Sequence, residues 1–135
     1  MSEMEKLPMS PYGDYLGISI DEYKDGIAKC SVEIKPFHLN NGGRVHGGLL
    51  TSLADTAAGV AVRTIRPDGM FSATTDMNIS FIRPPKGDSL QAVAEVIHAG
   101  KKLFRTEIVI YCEAKLVAKT NATFMIVEAF KGKDI

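Results

Sequence analysis

With 135 residues the chain is long enough for one domain with a proper core and too short for two. Its 16 Lys+Arg balance 16 Asp+Glu, so no net charge draws it to nucleic acid or to an anionic membrane. No apolar run reaches the ~18 residues of a bilayer span, because Arg63 and Arg66 interrupt the longest one.

In chain order, residues 1–15 contain Pro8, Pro11 and Gly13 and read as an irregular arm or a short helix. Glu3, Glu5 and Lys6 leave no apolar stretch of the kind a signal peptide carries. Residues 16–130 read as a single folded unit. A strand is expected over residues 16–23, with Leu16, Ile18 and Ile20 on one face. Asp25-Gly26 then suits a tight hairpin. Over residues 27–34, Ala28, Cys30, Val32 and Ile34 alternate with Lys29, Ser31 and Glu33. Pro36 stops that strand. Cys30 and Cys112 lie in strand-like runs without metal or redox spacing and read as buried free thiols of a reducing cytoplasm. His38, His46 and His98 are scattered, without HxxxH or CxxC, so neither a metal nor a separate cofactor is expected.

The stretch Asn40-Asn41-Gly42-Gly43-Arg44-Val45-His46-Gly47-Gly48 leads into a helix expected over residues 49–65. Leu49, Leu50, Leu53, Ala54, Ala57, Ala58, Val60, Ala61 and Val62 fall at helical spacing and describe a well-covered element. A helix start leaves backbone N–H groups unpartnered and adds partial positive charge. Glycines there let a ligand approach the backbone. Such a start suits an anion, or an oxygen that becomes anionic during a reaction.

Asp55 sits among apolar neighbours in that helix. Two readings stand: a solvated stripe with Thr51, Gly59 and Arg63, or a carboxylate held for chemistry. It lies nine positions after His46, roughly 13 Å along the axis and on the opposite side of the helix. One reacting carbon cannot meet both from a single helix. If both act together, the Asp comes from an antiparallel second copy, which predicts a two-fold dimer with shared sites.

Arg66-Pro67-Asp68-Gly69 is a turn, and the period then changes to two. Thr74, Asp76, Asn78 and Ser80 alternate with Thr75, Met77, Ile79 and Phe81, the pattern of a strand with one polar face. Residues 83–88 turn, residues 90–99 and 103–112 are strands, and residues 115–127 complete a meander. The order is β-β-α-β-β-β-β. One helix this apolar requires a curved antiparallel sheet around it, an α+β architecture.

That arrangement resembles the hotdog fold. Asn40-x-x-Gly43-x-x-His46-Gly47-Gly48 followed by Asp55, with Asp76-Met77-Asn78 and Phe81-x-Arg83-Pro84 on the next strand, resembles the acyl-CoA thioesterases of the phenylacetic-acid-degradation type. The resemblance covers most of the chain, from about Leu16 to Val127. It implies hydrolysis of an aryl- or medium- to long-chain acyl-CoA by a cytoplasmic homodimer, paired further into a homotetramer. In it Gly47 matches the N–H donor that polarises the thioester carbonyl. Asp55 matches the general base or nucleophile supplied by the opposite subunit. His46 corresponds to the residue that orients the thioester, Asn40 to the amide that places carboxylate or water, and Thr74 to the hydroxyl that holds the attacking water. Gly48, Met77 and Asn78 are expected to contact substrate. The acyl group is expected near Leu50, Leu53, Ala54, Ala58 and Met77. Arg83, Lys86, Lys101 and Lys102 lie in turns and are candidates for the phosphates of coenzyme A, which enters as part of the substrate.

Two rivals belong to other classes. A hotdog hydratase or dehydratase would carry a His-Phe-Pro-Gly type of stretch, which this chain lacks. A non-catalytic acyl-CoA-binding module would not require Asp55.

Overall fold

A computed structural model of the chain describes residues 7–128. The expected domain end at residue 130, and residues 1–6 of the leading arm, lie outside the described residues. The order is α1 (Pro11–Leu16), β1 (Ile18–Lys24), β2 (Ile27–Glu33), a 3-10 turn (Pro36–His38), α2 (Gly47–Arg63), β3 (Met70–Phe81), β4 (Ser89–Ala99), β5 (Leu103–Cys112) and β6 (Lys115–Glu128). The strands form one six-stranded sheet in the order β1-β2-β4-β5-β6-β3. Every neighbouring pair is antiparallel. The sheet curls around α2, which touches all six strands and packs most closely on β2 and β4. This is the hotdog architecture.

Small residues set how closely helix and sheet approach. Ala54, Ala57, Ala58 and Ala61 of α2 are fully buried, as are Ala28, Ala92, Ala94 and Ala118 on the strands. Leu53 and Val62 fill the wider gaps, each large aliphatic side chain contributing ~1.5–3 kcal/mol of burial. The helix is pinned at both ends. Thr64, its C-cap, accepts the Gly26 N–H at 2.7 Å, tying α2 to the β1–β2 turn. Asp25 and Gly26 have positive φ (51° and 86°), as the tight hairpin requires. At the other end buried His38 locks the loop: its Nδ1 accepts from the Lys35 N–H (2.9 Å) and its Nε2 donates to the Leu16 carbonyl (2.9 Å).

Two features of β3 matter for the site. It is an edge strand of 12 residues with nothing described along its outer side. Its pairing with β6 slips between Thr74, opposite Phe124, and Asp76, opposite Thr123. That bulge adds one residue and reverses which side chains face the helix. Strict alternation groups Thr74 with Asp76 and Asn78; the bulge instead places Thr74 on the helix side, where Met77 and Ile79 are half-buried.

Candidate active site

The loop before α2 is built by its own side chains. Asn40 Oδ1 accepts from the N–H groups of Gly42 (2.8 Å) and Arg44 (3.1 Å), while Gly43 takes φ 77°. His46 is the N-cap of α2, its Nδ1 accepting from the Gly48 N–H at 2.8 Å. Asn40 thus spends its oxygen shaping the loop, and the Gly48 N–H is already taken. The expectation that Gly48 serves substrate does not hold for its N–H, because the histidine cap satisfies it first. The Gly47 N–H, by contrast, has no acceptor among the described residues. It opens into a cleft of about 320 Å³ lined by Val45, Gly47, Leu50, Phe81 and the Ile82–Pro85 turn.

Asp55 lies on another side of the helix, half-buried. Thr74 Oγ1 donates to its Oδ1 at 2.8 Å. The second oxygen, Oδ2, has no partner among the described residues. This pair opens into a separate cleft of about 290 Å³, which shares no residue with the Gly47 cleft. Within one chain the donor and the carboxylate therefore stand apart, eight residues along one helix, ~12 Å of axial rise.

The other expected contacts divide. Leu53, Ala54 and Ala58 face the protein's own sheet and are fully buried, so they line neither cleft; Leu50 alone of that set borders the Gly47 cleft. Met77 packs half-buried against the core, and Asn78 is exposed on the edge strand; neither lines the two clefts. Arg83 and Lys86 line a further cleft of about 300 Å³ with Cys112, Glu113 and Lys115, adjoining the Gly47 cleft through Arg83 and Pro84. Lys101 and Lys102 do not join them. They sit at the β4–β5 turn, where the Lys102 carbonyl accepts from the Ile126 N–H, at the opposite end of the ten-residue β5 from Cys112. Those ten residues amount to ~30 Å of strand, so the four cations form no single patch on one chain.

Sequence patterns missed Lys115 and Ile82 beside the Gly47 side, and Arg66 and Ser72 beside Asp55, and gave Phe81 only as part of a motif, without a place in the site. Turn length carried the only signal for the first group: the Arg83–Lys86 turn must pack somewhere, and it meets the β5–β6 hairpin. Both thiols are buried. Burial and the nearby Asp21 push the Cys30 thiol up to about 12, and burial raises that of Cys112. Among the described residues no three His, Cys, Asp or Glu side chains gather as a metal site would need, and no helix is long and apolar enough to cross a membrane.

A family model described as the thioesterase superfamily matches residues 42–119, more than half of the chain. The chain belongs to the thioesterase superfamily. Its members among curated proteins include an esterase candidate of Halobacterium salinarum, 38% identical over 102 residues, covering 70% of this chain and 65% of that protein. The acyl-coenzyme A thioesterase PaaI of Escherichia coli is 38% identical over 88 residues, 64% of this chain and 61% of its own length. The chain thus spans under two thirds of the length of both. The Escherichia coli medium/long-chain acyl-CoA thioesterase YigI is 25% identical over 132 residues, 86% of this chain and 85% of that one. The solved structure of Escherichia coli PaaI, from the phenylacetic acid degradation operon, superposes with a TM-score of 0.82 at 31% identity, covering 89% of this chain and 86% of PaaI. Two of these relatives are named acyl-CoA thioesterases, and the segment matched by the family model contains Gly47, Asp55 and Thr74.

Proposed function

We propose that this protein hydrolyses acyl-CoA thioesters in active sites shared between two copies of the chain. The observation that carries the reading is the division of the machinery: a Gly47 N–H without an acceptor among the described residues in one cleft, and an Asp55–Thr74 pair in another. An antiparallel second α2 about a two-fold axis brings the carboxylate of one copy to the donor of the other. The unpaired edge of β3, with Phe71 and Phe81 exposed beside it, supports such pairing, since a long open edge is otherwise a liability.

In this arrangement the thioester carbonyl oxygen lies against the Gly47 N–H, where helix-start charge stabilises the developing oxyanion. A donor of this kind is typically worth ~3–4 kcal/mol. Asp55 of the second copy acts through Oδ2, either taking a proton from an attacking water or attacking the carbonyl itself. The tetrahedral adduct collapses, the C–S bond breaks, and the CoA thiolate leaves and takes up a proton; water attack gives the free acid directly, whereas carboxylate attack leaves an anhydride on Asp55 that a water then hydrolyses to the acid and the free carboxylate. Thr74 holds the carboxylate rather than the water. His46 and Asn40 act on the loop that presents Gly47. Arg83, Lys86 and Lys115 face the same side as the Gly47 cleft and suit the CoA phosphates; Lys101 and Lys102 reach a CoA only from another copy. Two buried free thiols favour a reducing compartment, the cytoplasm.

Thiol titration of CoA release from phenylacetyl-, benzoyl- and straight-chain acyl-CoAs, with Asp55→Asn beside the wild type, tests the reading. Release that collapses in the folded variant supports it. Tight acyl-CoA binding without release from any substrate would replace it with a non-catalytic binding module, and a change in acyl unsaturation with a hydratase.

A further inference from the structure

The Asp55 cleft holds a second charged feature that the reaction does not use. Arg63, the last residue of α2, and Arg66 line it together with Asp55 and Thr74. Arg66 is held in place: its guanidinium carbon lies 5.3 Å from the centre of the Phe71 ring, and its Nη1 is 3.4 Å from Ser72 Oγ. Burial and the charge of Arg63 both push its pKa down, so the two cations feel one another. Neither forms an ion pair with a carboxylate among the described residues. Two guanidinium groups kept close, Arg66 half-buried and Arg63 exposed at the mouth, are stabilised when an anion joins them.

The rest of the cleft fits a chain between two polar ends. From Asp55 it passes Ile20, Val60 and Phe124, and Gly59, whose missing side chain leaves room. Asp55 and Arg63 are eight residues apart on the same helix, so the ends stand ~12 Å apart along its axis.

We propose that Arg63 and Arg66 form an anion subsite at the far end of the Asp55 cleft, receiving an anionic group carried by the thioester substrate itself. The inference rests on the acyl-CoA reading above. Two parts of such a substrate supply that chemistry: a carboxylate at the far end of the acyl group, and the phosphates of CoA. The apolar floor between Asp55 and the arginines suits the hydrocarbon of an acyl chain that ends in a carboxylate.

Non-hydrolysable thioethers separate the sources. Hexyl thioethers of CoA and of pantetheine, each with and without an ω-carboxylate, are titrated calorimetrically into the full chain and into Arg63→Gln and Arg66→Gln. Weakening of about tenfold in the variants, confined to the carboxylate probes on either carrier, assigns the subsite to the acyl end. The same weakening confined to both CoA probes assigns it to phosphate. Variants that bind all probes like the wild type, or weaken all four alike, overturn the inference. Should Arg66→Gln fail to fold through loss of its Phe71 contact, Arg63→Gln, at an exposed residue, decides alone. Wild-type hydrolysis of hexanoyl-CoA is read in parallel. Wild-type hydrolysis together with arginine-independent binding of all four probes removes only the subsite; arginine-dependent binding without hydrolysis removes only the thioesterase reading.

Discussion

Thr74 Oγ1 donates to Asp55 Oδ1 at 2.8 Å, joining the edge strand to the middle of the central helix across 19 residues of sequence. The bond leaves Oδ2, which has no partner among the described residues, as the oxygen open to chemistry. A hydrogen bond to a charged group contributes ~1.5–3 kcal/mol, and ~1.4 kcal/mol is tenfold in rate. Thr74→Val is expected to lower kcat about tenfold or more, while Thr74→Ser keeps most of it. Asp55→Asn, which removes base and nucleophile together, should lose ~100-fold or more. Steady-state CoA release on variants of unchanged circular dichroism checks both, and a fully active Thr74→Val would show the bond to be incidental.

Gly47 is the first residue of α2, and His46 before it has φ −67° and ψ 134°. That backbone is open to a following proline, and proline is well tolerated at a first helical position. Gly47→Pro therefore deletes the proposed oxyanion donor while the helix forms normally. A Cβ there meets the Phe81 ring at 3.2 Å, but Phe81 is 55% exposed and free to give way. Expected are a midpoint in urea within ~1 kcal/mol of wild type and a kcat reduced ~100-fold or more. Unchanged turnover in Gly47→Pro would move the oxyanion contact elsewhere.

How far the sequence reached can be argued from these same residues. The central helix, expected over residues 49–65 and found over Gly47–Arg63, the hairpin at Asp25-Gly26 and the β-meander are written in spacing and turn chemistry, because each is a local preference repeated over many residues. The separation of His46 and Asp55 followed from helical geometry alone, and Gly47, the next residue after His46, shares it. The partner of Asp55 was not legible in this way: Thr74 sits on the helix side only because of a bulge at Thr75, and one inserted residue leaves no mark on a period of two. Likewise Asn40 and His46 look like reagents in a motif, yet their nearest duties are backbone ones, bonding Gly42, Arg44 and Gly48. The acyl contacts assigned to Leu53, Ala54 and Ala58 failed for the reverse reason. Apolar helix residues pack first against their own sheet, and nothing in their spacing distinguishes a core from a pocket.

Thr120 is fully buried in β6, and its Oγ1 has no hydrogen-bond partner among the described residues. A buried hydroxyl left unpaired costs ~1–3 kcal/mol. Thr120→Val keeps the shape and removes the polar group, so it should stabilise the protein by about 1 kcal/mol. Urea unfolding monitored by circular dichroism reads this directly; a destabilised Thr120→Val would point to a partner for that hydroxyl.

The Cys30 thiol gives a pH prediction. Burial first, and Asp21 second, raise its pKa from 9.0 to about 12. The unfolded chain therefore loses that proton before the folded one does. Its contribution is fully present below pH 9.0 and is lost as pH climbs toward about 12, at up to ~1.4 kcal/mol per pH unit. Subtracting the stability profile of Cys30→Ala from that of the wild type should isolate this slope from tyrosine and lysine effects. The same protonation keeps native Cys30 nearly silent toward thiol reagents near pH 8, so the CoA assay has little background from it. A rapid native Cys30 signal would contradict the burial.

Sharing of the active site has its own test, which follows from the two clefts lying on one helix. In a dimer of Gly47→Pro with Asp55→Asn, one site combines the intact Gly47 of one chain with the intact Asp55 of the other. The second site carries both defects. Mixing the two inactive variants under conditions that exchange subunits should therefore restore activity, up to one working site per mixed dimer. If donor and carboxylate instead served a site within a single chain, every mixed dimer would stay inactive. Proteins carrying different affinity tags allow the mixed dimer to be purified and its CoA release measured per dimer. Activity about half that of the wild-type dimer is the expected result; a purified mixed dimer without turnover would return Gly47 and Asp55 to separate roles.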